Sequence, residues 1–124
     1  NKEALVLYEK GVALGEDNYS LLKNTLLLEI EFKDYVGASK LSYAALEIFP
    51  AQALIYLLNG VANNGLQKPD LAIEALEGGI DYLLDDNKME KAFYEQLTIA
   101  YRTKGDTQNA NLFEKKALDL KDPN

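Results

Sequence analysis

The sequence predicts an all-α fold: seven helices of similar length, paired antiparallel and joined by short turns. Three observations carry this reading. The chain repeats itself: Ala4, Ala38, Ala72 and Ala110 are spaced 34, 34 and 38 residues apart. Seven residues after each stands another small residue (Gly11, Ala45, Gly79, Ala117), then an aliphatic one (Val12, Leu46, Ile80, Leu118), then a large apolar one (Leu14, Ile48, Tyr82, Leu120). Between these segments lie apolar-rich stretches of helical length, at 19–32, 51–65 and 91–104. No segment alternates apolar and polar residues between turn signals, as a half-buried strand would.

Each element follows from local chemistry. In the first helix, over 1–15, Ala4 and Gly11 share one stripe, where small side chains let a neighbouring helix come close. The 19–32 helix is apolar on more than one side: Leu21, Thr25, Leu28 and Phe32 make one stripe, and Leu22, Leu26 and Leu27 crowd the next. The pattern leaves open which stripe faces inward. Asp34 caps a helix starting near Tyr35. Pro50 and Pro69 suit the first turns of the next two helices, where no N–H is needed. Gly78-Gly79 reads as a close-packing point in mid-helix, at some cost in helix stability. The four extra residues of the last spacing fall around Leu84 to Lys88, lengthening a helix or loop by about one turn. Asp85, Asp86 or Asn87 caps the helix starting near Met89. Its stripe is Tyr94, Leu97 and Tyr101, widened by Phe93 and Ala100. Gly105-Asp106 is a helix stop followed by an N-cap.

Composition narrows the function. With 124 residues, 48% of them hydrophobic and 27% charged, the chain can close a core without disulfide or metal. It has neither Cys nor His, which removes thiolate nucleophiles, imidazole bases, Ser-His-Asp triads and His/Cys zinc sites. Thirteen basic against twenty acidic residues give a net charge of −7, which argues against nucleic acid and anionic membrane as partners. No stretch reaches the ~18 consecutive apolar residues of a membrane span. Asp85-Asp86-Asn87 lacks the alternating ligands, glycine and closing Glu of a calcium loop, and reads as a helix start. Gly78-Gly79 is no phosphate loop, since no strand precedes it and no Walker lysine follows. Carboxylate pairs on helix faces arise by chance at this acidity. The chain is read as a non-enzyme without metal or cofactor.

A helical pair of 34 residues is the period of the tetratricopeptide repeat, and the residues resemble that family's pattern. The copy closest to it is Tyr94, Leu97, Tyr101, Gly105-Asp106, Ala110 and Ala117-Leu118. An earlier copy supplies Leu22, Asp34-Tyr35, Ala38, Ala45-Leu46 and Pro50, and the middle one Tyr56, Gly60, Ala72, Leu76 and Gly79-Ile80. Glu29 and Asn63 depart from it, standing where the family usually has an aromatic. In this frame a half repeat (1–18) precedes repeats 19–52, 53–90 and 91–124. The general style is also similar to repeat proteins of bacterial cell envelopes, which leans the expected location that way.

The resemblance implies a right-handed α-α superhelix with a concave groove lined by the first helices. It implies a protein-interaction scaffold that takes a peptide or helix of a partner. The residues it places in the groove are Lys23, Leu27, Ile30 and Glu31, then Leu54, Leu57, Val61 and Asn64, then Glu95, Ile99 and Arg102. The clamp for acidic peptide tails is missing: Lys23 matches one clamp position, but the others fall on Leu27, Leu58, Ala92 and Gln96. The groove therefore favours an apolar or basic segment. Two other uses compete. The aliphatics can serve as packing between neighbouring first helices, and the chain can be a structural or oligomerisation module. In that second case the 1–15 helix would cover its face of Leu5, Tyr8 and Val12 with missing repeats or with a second copy in a homodimer. Asn111 and Glu114 give the last helix the polar outer face of a solenoid end. The first helix, lacking its mate, reads as an internal cut. Tyr19 and Tyr43 fall outside the repeat columns and read as surface contacts.

Overall fold

The computed structural model describes residues 19–120. The helix expected over 1–15, with its Leu5, Tyr8 and Val12 face, lies outside the described residues. Those described form six helices and no strand: α1 (Tyr19–Glu31), α2 (Tyr35–Ile48), α3 (Ala53–Gly65), α4 (Pro69–Ile80), α5 (Asn87–Thr103) and α6 (Thr107–Asp119). Each helix packs on its neighbour in the chain. In addition α1 packs on α3, and α3 on α5, so the first helices of the three pairs form one layer.

The small-residue columns sit where the layers meet. Ala38, Ala72 and Ala110 are fully buried, and Ala45, Gly79 and Ala117 are buried one or two turns on. A Cβ on Gly60 would stand 2.6 Å from Leu76, and one on Gly79 would fall on the Tyr56 ring. These glycines are required because helix pair α3–α4 closes to backbone-on-side-chain distance there. Gly79 lies in the last turn of α4 rather than in its middle, since the helix ends at Ile80.

The core has two clusters. Leu22 and Leu26 of α1 pack with Ala38, Leu41 and Ala45 of α2 and Ile55, Leu58 and Ala62 of α3. Ala53 and Leu57 of α3 pack with Leu76 of α4 and Phe93 and Leu97 of α5, and Leu54 touches both clusters. Burying a leucine or phenylalanine side chain contributes about 1.5–3 kcal/mol. Every helix pair is therefore tied to the next by apolar side chains rather than by its turns. On α1 the inward stripe is Leu22, Thr25, Leu26 and Glu29, while Leu21, Leu28 and Phe32 are exposed.

Both positions that depart from the aromatic pattern are buried. Glu29 lies against Gly37, whose missing side chain makes room for its carboxylate. Asn63 enters a polar ladder between α2 and α3. Its Nδ2 donates to Asn59 Oδ1 (2.9 Å) and to the Asn59 carbonyl (3.1 Å), and Asn59 Nδ2 donates to Ser42 Oγ (2.8 Å). Tyr43 is tied into the same ladder, its hydroxyl accepting from Asn63 Nδ2 at 3.4 Å. Tyr19 packs edge-on against Phe49, ring centroids 5.1 Å apart. Neither tyrosine is purely a surface contact.

The turns within the pairs are three copies of one motif. Asp34 N–H donates to the Glu29 carbonyl (2.7 Å), Lys68 N–H to Asn63 (2.9 Å) and Asp106 N–H to Tyr101 (2.8 Å). The residue before each donor is left-handed: Lys33 (φ 61°), Gln67 (φ 61°) and Gly105 (φ 84°). Asp34, Asp86 and Asp106 cap α2, α5 and α6 by accepting from the N–H groups of Gly37, Met89 and Asn109. Pro69 opens α4, as its fixed φ suits. Pro50 does not open a helix. It lies in the turn before α3, and its carbonyl accepts from the Tyr56 hydroxyl (2.7 Å). The four extra residues give α5 17 residues against 13 in α1 and α3.

Candidate functional site

The first-helix layer is the face to which the sequence assigns a groove, and its residues divide by fate. Leu57 does not line a groove. At 8% exposure it is packed with Phe93 and Leu97, because α5 crosses α3 over that turn. Leu54 and Val61 are half-buried against the same cluster, and Ile30 against the other. For these four aliphatics, packing against the two core clusters is the observed use. Leu27 and Ile99 are different: on the two flanking helices of the layer they are 43% and 46% exposed.

The layer also carries a polar bridge. Asn64 Nδ2 donates to the Gln96 carbonyl (3.0 Å) and to Gln96 Oε1 (2.9 Å), joining α3 to α5. The bridge is partly buried and holds two first helices in register. Glu31 and Glu95 are exposed carboxylates of the same layer. Arg102 is not a free cation: its Nη2 pairs with Glu114 at 3.0 Å, both side chains about half exposed.

Lys23 and Leu54 line a cleft of about 540 Å³ at the end of the layer where α1, α3 and α5 begin. Tyr19 and Met89 wall it, and the loop 81–86 closes it. Burial there raises the Tyr19 hydroxyl above its ordinary value. This cleft escaped the sequence reading. Its one signal is the longer last spacing, which reads as added helix or loop length around Leu84 to Lys88.

Two smaller clefts lie elsewhere. One of about 430 Å³ separates α2 from α4, between Tyr43, Tyr56, Leu71 and Gly78. One of about 350 Å³ lies between α5 and α6, with Thr98, Ile99, Ala117 and Leu118 on its walls. Tyr94 and Tyr101 brace the α5–α6 pair against Phe113. Tyr101 stacks on Phe113 (5.7 Å) and donates to Glu77 Oε2 (3.1 Å). Tyr94 donates to Glu90 Oε2 (2.8 Å); burial first, and that bond second, push its hydroxyl up to about 12. Among the described residues no three His, Cys, Asp or Glu side chains gather as metal ligands. No helix of these residues is long and apolar enough to cross a membrane.

No family model matches the chain. Over 75 residues, 60% of its length, it is 29% identical to N-alpha-acetyltransferase 16, NatA auxiliary subunit, of Homo sapiens, and equally to that of Mus musculus. It spans 9% of the length of those curated relatives. Its structure is similar to that of MamA, residue 41 to the end, from Desulfovibrio magneticus RS-1. The TM-score is 0.75 at 22% identity, covering 96% of this chain and 65% of that one. The fold is a tetratricopeptide-type helical solenoid.

Proposed function

We propose that the chain is a protein-interaction scaffold whose first-helix layer takes an apolar or basic helix or peptide of a partner. Solenoids of this architecture present an extended concave surface for binding. The observation that carries the reading is the pair Leu27 and Ile99. Both stay exposed on the flanking helices of the layer while the aliphatics between them are packed away. A partner's apolar stripe can cover both. Glu31 and Glu95, with the net charge of −7, favour a basic segment over an acidic tail.

The test is selection from a displayed library of helical peptides, followed by calorimetry on the winners. Leucine- and lysine-rich sequences should be enriched, and Leu27→Asp and Ile99→Asp should each abolish binding with unchanged helicity and melting temperature. Enrichment of acidic peptides, or full binding by both variants, contradicts the reading.

A second reading has its own observation. In the α3–α4 pair, Val61 and Ile80 pack against the cluster that α5 completes. The corresponding residues of the α5–α6 pair, Ile99 and Leu118, line the open 350 Å³ cleft. This face suits a further repeat or a second copy, making the chain a stacking module. Light scattering separates the two: a dimer that survives dilution and is lost on Leu118→Asp supports stacking, and a monomer at all concentrations contradicts it.

A further inference from the structure

The loop 81–86 departs from the repeat and ends up with an exposed leucine. Leu83 turns in and packs against the Phe93–Leu97 cluster, which anchors the loop. Its neighbour Leu84 is 87% exposed, although it lines the 540 Å³ cleft. Asp86 N–H donates to the Leu84 carbonyl at 2.7 Å, and Asp86 caps α5, so both ends of this short arch are fixed. Leu84 is thus held in water by a tethered backbone, where it adds nothing to the core. Across the cleft stand Tyr19, Leu54 and Met89, an apolar floor contributed by the starts of all three first helices. The rim is acidic: Asp81 and Asp86 of the loop line it, and Lys23 is the single cation among the lining residues.

We propose that this cleft is an anchor subsite that takes one large apolar side chain of a partner segment, with a Lys or Arg of that segment beside it. The apolar side chain would seat between Leu84 and the Tyr19–Leu54–Met89 floor. The neighbouring cation would face Asp81, the lining carboxylate that, unlike Asp86, is not engaged in capping a helix N-terminus. The proposal rests on the concave-face reading, since Lys23 and Leu54 belong to that face, and it adds where along the face the partner is fixed and by what chemistry.

Amide NMR titration of the whole chain tests it with two synthetic amphipathic helical peptides, one of Leu and Lys, the other of Leu and Glu. The Leu/Lys peptide should shift the amides of Lys23, Leu54 and Leu84 saturably, and the Leu/Glu peptide should not. Leu84→Ser should weaken that binding roughly tenfold, as expected for truncating an anchor contact. Asp81→Asn should weaken the Leu/Lys peptide and reduce its salt dependence. All of these substitutions are at exposed loop positions, so the fold should persist. Shifts confined to Leu27 and Ile99, with Leu84→Ser binding normally, would overturn the anchor subsite and leave the concave face standing. Equal binding of the Leu/Glu peptide at the loop would overturn the charge preference and with it the proposal. The absence of saturable shifts with either peptide would overturn the subsite and the concave-face reading together.

Discussion

Lys33, Gln67 and Gly105 hold the same place in three turns, and only the third is the residue that place prefers. All three are left-handed, at φ 61°, 61° and 84°. A left-handed backbone costs a residue with a Cβ about 1–2 kcal/mol. Replacing it by glycine removes that cost but gives back about 0.4–1 kcal/mol of extra unfolded-chain entropy. Lys33→Gly and Gln67→Gly should therefore each stabilise the fold by about 0.5–1 kcal/mol. Both side chains are exposed, so little packing is lost. The two turns belong to different helix pairs, and the gains should add to about 1–2 kcal/mol in the double variant. For a chain of this size each kcal/mol is worth roughly 3–5 °C in melting temperature. Gly105→Ala is the control with the opposite sign. A Cβ there would meet nothing within 4 Å, so its loss of about 1 kcal/mol would come from the backbone alone. Urea and thermal unfolding followed by circular dichroism measure all four. Glycine variants no more stable than the parent, with Gly105→Ala neutral, would refute the reasoning.

Three further expectations follow from particular contacts. Leu57→Asp should abolish cooperative unfolding, because a carboxylate would be buried against Phe93 and Leu97 at a cost of several kcal/mol, whereas Ile99→Asp should change stability by less than about 0.5 kcal/mol; denaturant curves compare them directly. Lys68 starts α4 without a side-chain cap and puts a positive charge at a helix N-terminus, so Lys68→Asp should raise stability by about 1 kcal/mol, checked in the same assay. The Tyr94 hydroxyl is raised from 10 to about 12, so folding favours its protonated form; its stabilising contribution should be complete below pH 10 and disappear as pH rises through about 12. Parallel titration of stability and tyrosinate absorbance checks this, and Tyr94→Phe should lose that part of the alkaline dependence.

The second helices were legible in the sequence because their columns report close approach directly. Ala38, Ala72 and Ala110 are small for the reason that a neighbouring helix lies on them, and such a column survives any change in surface chemistry. The aspartate caps were legible for a similar reason, since an Asp before an apolar-periodic run has a local use. The first helices were harder. In α1 a leucine stands on nearly every side, so Leu22 and Leu26 could not be told from Leu21 and Leu28 by period. The contrast came from Thr25 and Glu29, polar residues that turned out to lie inward. Leu57 was misplaced because its counterparts in the other pairs are Lys23 and Glu95. Only the crossing of α5, a tertiary event, buries it. The Asn64–Gln96 bridge and the 540 Å³ cleft join residues from separate helices, and no local pattern encodes such pairings.

The central claim is that the partner lies along the first-helix layer. A crystal structure of the chain bound to a library-selected helical peptide tests it most directly. The account predicts peptide density across α1, α3 and α5, touching Leu27 and Ile99, with one large side chain in the cleft beside Leu84. A peptide seated instead in the crevice between α2 and α4, against Tyr43 and Leu71, would contradict it.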